Sequence, residues 1–219
     1  MTTIPRGSPV QPGERAPDFR LQAVYKNGEV ALADYRGRPL FVAIFLGLWC
    51  PFCRRNIVYL GATQDELLAC GVETLAVVAS ELDNPRLYFK YRPARVPLAA
   101  DPELSTHRAY GLPRPRLDDN TMQLLASIRI NPTGELAEPV PATEIGPLLD
   151  NADNFKRTDV DGKDLGRQWP MLRAQFLADP DSIVRWTNVE CATEGLAGIG
   201  KFPTTDEVVT AAKAHGMAA

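Results

Sequence analysis

Two apolar runs, residues 40–46 and 72–79, the second interrupted only by Glu73 and Thr74, flank a segment whose apolar side chains recur at helical spacing, and no other feature constrains the fold of this chain as tightly. A run without alternation is the signature of a strand buried on both faces; two of them joined by a helix make a parallel β-α-β unit of a layered α/β fold. The joining segment, about residues 51–70, carries Ile57, Leu60, Leu67 and Leu68 and closes at Gly71, a residue that tolerates the left-handed conformation with which helices end.

Trp49-Cys50-Pro51-Phe52-Cys53 stands at the junction of the first strand and this helix. With the helix starting near Pro51, Cys50 falls at or beside the N-cap, where backbone N–H groups lack intrahelical partners and the dipole is positive, so a thiolate is favoured. Cys53 lies one turn further on, within reach of a disulfide. The pattern therefore points to a redox centre; a half zinc site and a pair of small core residues are the alternatives. Zinc requires three or four ligands, but there is no second C-x-x-C, His107 and His215 are far apart, and Cys70 and Cys191 are solitary. No metal and no cofactor are expected.

The rest of the chain reads around this unit. Residues 1–17 form a loose, Pro-rich arm. Residues 19–33 alternate about Asn27-Gly28, a hairpin signal. Asn84-Pro85 and Asp101-Pro102 each supply an N-cap and first helical position, and residues 96–100 supply a short third strand. Residues 174–178 and 183–189 flank Asp179-Pro180-Asp181-Ser182 as a second hairpin, and Thr204 with Glu207 forms a capping box for a terminal helix. The order is hairpin, β-α-β-α-β-α, hairpin, helix: a central mixed sheet flanked by helices. Residues 112–170 fit none of this. They are rich in Pro and then in Asp, Asn and Gly, with one hairpin candidate at residues 127–130 and 135–140, and are read as an insertion within a single domain spanning residues 1–219, one that covers the active site or forms a partner surface.

At 219 residues, 45% hydrophobic and 23% charged, with net charge −3, the composition is that of a soluble globular protein. There is no basic run to track phosphates and no apolar stretch of about 18 residues to span a bilayer, so neither nucleic acid nor membrane is an expected partner. Residues 1–17 hold no apolar signal-peptide core, and the expected compartment is the cytoplasm. In that reducing setting a C-x-x-C is catalytic rather than a staple.

The residues 13–19 (Gly-Glu-Arg-Ala-Pro-Asp-Phe), 37–40 (Gly-Arg-Pro-Leu), 97–102 with 109–111, and 172–179 with 183–186 resemble the peroxiredoxin-like proteins of the alkyl hydroperoxide reductase and thiol-specific antioxidant family, within the thioredoxin-like superfamily. The resemblance covers roughly residues 13–111 and 171–214. It implies a thioredoxin-like fold and a thiol-dependent enzyme reducing hydrogen peroxide or small organic hydroperoxides, with Cys50 attacking the peroxide, Cys53 resolving to a disulfide and Arg173 stabilising thiolate and transition state. An external thiol reductant, such as a thioredoxin or glutathione system, would restore the pair, and a homo-oligomer is left open. The family's P-x-x-x-T-x-x-C motif is not kept: Ala43 and Gly47 occupy its Pro and Thr positions. That departure leans towards the alternative, a thioredoxin-like thiol-disulfide oxidoreductase. Against this alternative, Arg173-Ala174 stand where disulfide exchangers carry a proline facing the cysteines, and Pro170 lies several residues earlier. A second alternative is a non-catalytic thioredoxin-fold interaction module.

Several residues admit plainer readings. Trp49 and Phe52 are core, or the wall of an apolar substrate pocket. Arg54 and Arg55 form a solvated helix face, or raise the potential at the thiolate. Cys70 is a buried small residue and His107 is structural or exposed. Cys191 follows the last strand, where some peroxiredoxins carry a distant resolving cysteine, but Cys53 has the shorter loop to close.

Overall fold

The computed structural model describes residues 7–217. In chain order it contains β1 (Arg20–Ala23), β2 (Glu29–Ala31), β3 (Leu40–Phe45), α1 (Pro51–Ala69), β4 (Glu73–Val78), α2 (Asp83–Tyr91), β5 (Leu98–Ala100), α3 (Ser105–Ala109), α4 (Asp119–Ser127), β6 (Arg129–Ile130), β7 (Val140–Pro141), α5 (Ile145–Ala152), α6 (Asp159–Gln168), β8 (Ala174–Ala178), β9 (Val184–Val189) and α7 (Thr205–Ala214). Seven strands make one sheet in the order β2-β1-β5-β4-β3-β8-β9, while β6 and β7 pair separately. β3, β4 and β5 are parallel, and β1 and β8 are antiparallel to their neighbours in that group. This is the thioredoxin-like α/β architecture, with the expected hairpin first and a mixed sheet.

β3 lies inside the sheet between β4 and β8, and its two faces serve different cores. Phe41, Ala43 and Phe45 pack with Ile57, Leu60 and Leu67 of α1 and with Val208 and Ala212 of α7. Leu40, Val42 and Ile44 pack with Phe19, Tyr110 and Phe176 on the opposite side. Burial on both faces is why the run does not alternate.

Some local expectations are corrected. α2 begins at Asp83, and Asn84 is not its cap: it lies within the first turn and donates to Ser80 Oγ and Asp161 Oδ1, both at 3.1 Å. Asp101 caps α3 from four and five residues ahead, accepting from the N–H groups of Ser105 (3.0 Å) and Thr106 (2.8 Å), so this helix starts later than the Asp-Pro pair suggested. Residues 1–6 of the expected loose arm lie outside the described residues. The remainder is pinned: Val10 is buried and donates to Tyr110 O at 3.0 Å, and Gly13 N–H donates to Val184 O at 2.8 Å.

The largest difference is in residues 112–170, which hold three helices besides the short β6-β7 pair. Asp118 caps α4 by accepting from Thr121 N–H, and Thr158 with Asp161 forms a capping box on α6. Helix α5 seats Ile145 and Leu149 in the core, whereas α6 is fastened by polar contacts rather than by a broad apolar stripe. Asp161, Asp164 and Gln168 are buried, and Asp164 accepts from Ser80 Oγ at 2.6 Å.

Candidate active site

The strand β3 delivers the chain into the turn 46–49, and α1 starts at once with Pro51, whose missing N–H costs nothing in the first helical turn. Cys50 is the N-cap. Its backbone is extended (φ −85°, ψ 112°) and its Sγ accepts from Cys53 N–H at 3.3 Å. Cys50 is 4% exposed and Cys53 fully buried, both as free thiols. Only the first therefore retains any exposure.

The sheet register explains the arginine. Ala174 pairs with Ile44 on one side and with Val189 on the other. Arg173 consequently lies one step further, beside the end of β3 that leads to Cys50, with Glu190 across from it. Glu190 N–H donates to Arg173 O at 3.0 Å. The Arg173 side chain is buried, ion-paired through Nη2 with Glu190 Oε1, and donates from Nε to Glu190 Oε2 at 3.2 Å. Its guanidinium carbon stands 5.6 Å from the centre of the Phe52 ring. Among the described residues, Arg173 Nη1 meets no hydrogen-bond partner.

The two thiols are driven apart. Burial opposes a Cys50 thiolate, but hydrogen bonds from the Cys53 thiol and N–H and the charge of Arg173 outweigh it, so its pKa lies below the ordinary thiol value. Cys53 is pushed well above that value by burial and then by the hydrogen bond and charge of Cys50. The pair is therefore asymmetric, with one sulfur favoured as thiolate and the other as thiol.

Two residues of the 112–170 segment brace the turn. Gln168 Oε1 accepts from Gly47 N–H (2.6 Å) and from Trp49 Nε1 (2.7 Å), and Gln168 Nε2 donates to Ala79 O. Asp150 accepts from Arg54 Nη2 at 2.7 Å, while Arg54 Nη1 donates to Leu48 O at 2.6 Å. Arg54 is thus no solvated residue: it is 1% exposed, and its guanidinium lies 3.7 Å from the centre of the Phe155 ring. Arg55 is paired with Asp153 and Glu135. A cavity of about 570 Å³ lies along this flank of α1, lined among others by Arg54, Arg55, Tyr59, Tyr88 and Arg92, and neither cysteine lines it.

Trp49 and Phe52 are both largely buried. Pro170 sits in the loop that reaches Trp49: the ring of its neighbour Trp169 meets that of Trp49 edge-on at 6.3 Å, and the Trp169–Pro170 peptide is cis. At Gly47 an added Cβ would meet Asp164 Oδ2 and Trp49 Cδ1 at 3.0 Å, so the threonine of the peroxidase motif would fit only if those side chains gave way by a few tenths of an ångström. Cys70 is half-buried, as the C-cap of α1, rather than a core residue. Cys191 is half-buried, with burial and Glu190 raising its pKa to about 12. His107 is fully buried. No group of three or more His, Cys, Asp or Glu able to hold a metal occurs among the described residues.

A dithiol at a strand-to-helix junction of a thioredoxin-like sheet defines a class of thiol redox protein. The family model Redoxin matches residues 11–137, more than half of the chain, and the chain belongs to the Redoxin family. The chain is 41% identical over 69 residues to the thiol-disulfide oxidoreductase ResA of Geobacillus kaustophilus, a match spanning 32% of this chain and only 38% of that protein. It is 27% identical over 130 residues to the ResA of Bacillus thuringiensis subsp. konkukian, covering 58% of this chain and 74% of that one. The reduced 2-Cys peroxiredoxin of Plasmodium vivax superposes with a TM-score of 0.58 at 16% identity, covering 94% and 97% of the two chains, a likeness of fold.

Proposed function

We propose that this protein is a thiol-disulfide oxidoreductase working through Cys50 and Cys53. The observation that carries this reading is the asymmetry of the pair, with Cys50 at the α1 N-cap favoured as thiolate and the buried Cys53 held protonated. Cys50 thiolate attacks one sulfur of a substrate disulfide, forming a mixed disulfide and expelling the other sulfur as a thiolate. Cys53, on giving up its proton, attacks Cys50 Sγ; a Cys50–Cys53 disulfide forms and the second substrate thiolate leaves. An external dithiol reverses the sequence and restores both thiols. The name borne by the ResA relatives supports the same chemistry.

Peroxide reduction is the second reading, favoured by one observation, the buried Arg173 with its unpartnered Nη1 beside the thiols. There Cys50 thiolate would take the distal peroxide oxygen to become a sulfenic acid, the alkoxide leaving with a proton, and Cys53 thiol would condense with it to give the disulfide and water. The close packing at Gly47 ranks this reading second.

Both rates measured on the purified protein separate the two. Dithiothreitol-driven reduction of insulin disulfides is expected to outpace hydrogen peroxide and cumene hydroperoxide turnover, with both activities lost in Cys50→Ser. Fast peroxide consumption beside negligible insulin reduction would reverse the ranking.

A further inference from the structure

Glu190 had no role in the sequence reading, yet its carboxylate is the most heavily bonded group of the site. Its Oε2 accepts from Arg173 N and Nε, each at 3.2 Å, and its Oε1 accepts from Arg173 Nη2 and from Gly200 N–H at 2.8 Å. Gly200 has φ +81°, and a Cβ there would meet Phe52 Cε1 at 2.7 Å, so the backbone presses against the ring that faces the Arg173 guanidinium. Arg173 is thereby held between Glu190 and Phe52, with Nη1 left without a hydrogen-bond partner.

We propose that Glu190 is a positioning residue of the dithiol: it fixes the Arg173 guanidinium beside Cys50 and Cys53 and opposes it with a permanent counter-charge, so that the nucleophile is only partly activated. This rests on the reading of Cys50 as nucleophile. Charged and titratable groups bear on Cys50 from each element packed there: Cys53 on α1, Arg173 ahead of β8 and Glu190 after β9. Cys191 answers to the same Glu190 and Arg173. Glu190 is no proton carrier. Burial raises its pKa, but the Arg173 charge and the hydrogen bonds from Arg173 and Gly200 outweigh that and keep it ionised. A full ion pair beside a thiol leaves a smaller net field than a bare guanidinium, and the thiolate is correspondingly less favoured.

The test is the pH profile of Cys50 alkylation in the reduced full-length chain, read by mass spectrometry. Glu190→Gln keeps an acceptor for Gly200 and removes the charge; its midpoint is expected about one pH unit below wild type. Arg173→Gln is expected to move it upward. An unmoved or raised midpoint in folded Glu190→Gln overturns the proposal, and a purely structural role would lower the melting temperature alone. Should that variant not fold, carbon-detected NMR of the wild-type Glu190 carboxylate decides. It is expected to respond to Cys50 titration without taking up a proton between pH 5 and 9, and protonation of Glu190 in that range overturns the proposal. Alkylation of another cysteine first, in wild type, would instead refute the underlying choice of Cys50.

Discussion

Gln168 accepts the indole N–H of Trp49 at 2.7 Å, and through the same oxygen the N–H of Gly47. A residue of the long 112–170 segment therefore holds the turn that leads into Cys50. Gln168→Ala leaves two buried donors without a partner, and a loss of about 3 kcal/mol is expected at one to three per group. Urea denaturation measures it, and Trp49 emission should shift in the folded variant. A loss below about 1 kcal/mol would show that the brace contributes little.

The fold was legible where burial is two-sided or turn chemistry is explicit. The runs that became β3 and β4, the Asn27-Gly28 hairpin, the Cys50 cap and the Thr204–Glu207 box all follow from local pattern. Helix α6 escaped because the side chains it buries are polar, and α4 and α5 because each buries only one or two apolar side chains. Nothing in periodicity says that Asp164 will meet Ser80 or that Asp150 will meet Arg54, 96 residues away. Two signals were present: the Asp118 cap and the Thr158–Asp161 box. Glu190 was out of reach for another reason, since its pairing with Arg173 depends on the β8–β9 register.

Arg54 gives a second measurement. Its guanidinium is buried against Phe155 and joins Leu48 O to Asp150 and Asp153. Arg54→Met is expected to cost about 3 kcal/mol, the low end for breaking a buried pair because Asp150 keeps Arg157 and Asp153 keeps Arg55. A variant as stable as wild type would mean that the pair only offsets its own desolvation.

At Gly47 the added atoms of a threonine would press on Asp164 and Trp49. Gly47→Thr is expected to lose about 1–3 kcal/mol by overpacking and to gain no peroxide turnover. A stable variant with faster peroxide consumption would favour the peroxidase reading.

His107 sets an acid limit. It is fully buried, and that burial lowers its pKa from 6.5 to about 4 despite Asp101. The unfolded chain therefore binds the proton first: the stabilisation is whole above about pH 6.5 and is lost as pH falls towards 4, by about 3 kcal/mol. His107→Phe should show a flatter stability profile between pH 6.5 and 4. An identical profile would place the acid sensitivity elsewhere.

The central claim, that Cys50 attacks a disulfide and Cys53 resolves the adduct, is tested most directly by trapping. Cys53→Ser, mixed in its reduced state with a disulfide-linked peptide, should accumulate one mixed disulfide located at Cys50 by peptide mapping, while wild type passes on to a Cys50–Cys53 disulfide. An adduct at Cys70 or Cys191, or a wild-type protein that keeps four free thiols under the same treatment, would contradict the account.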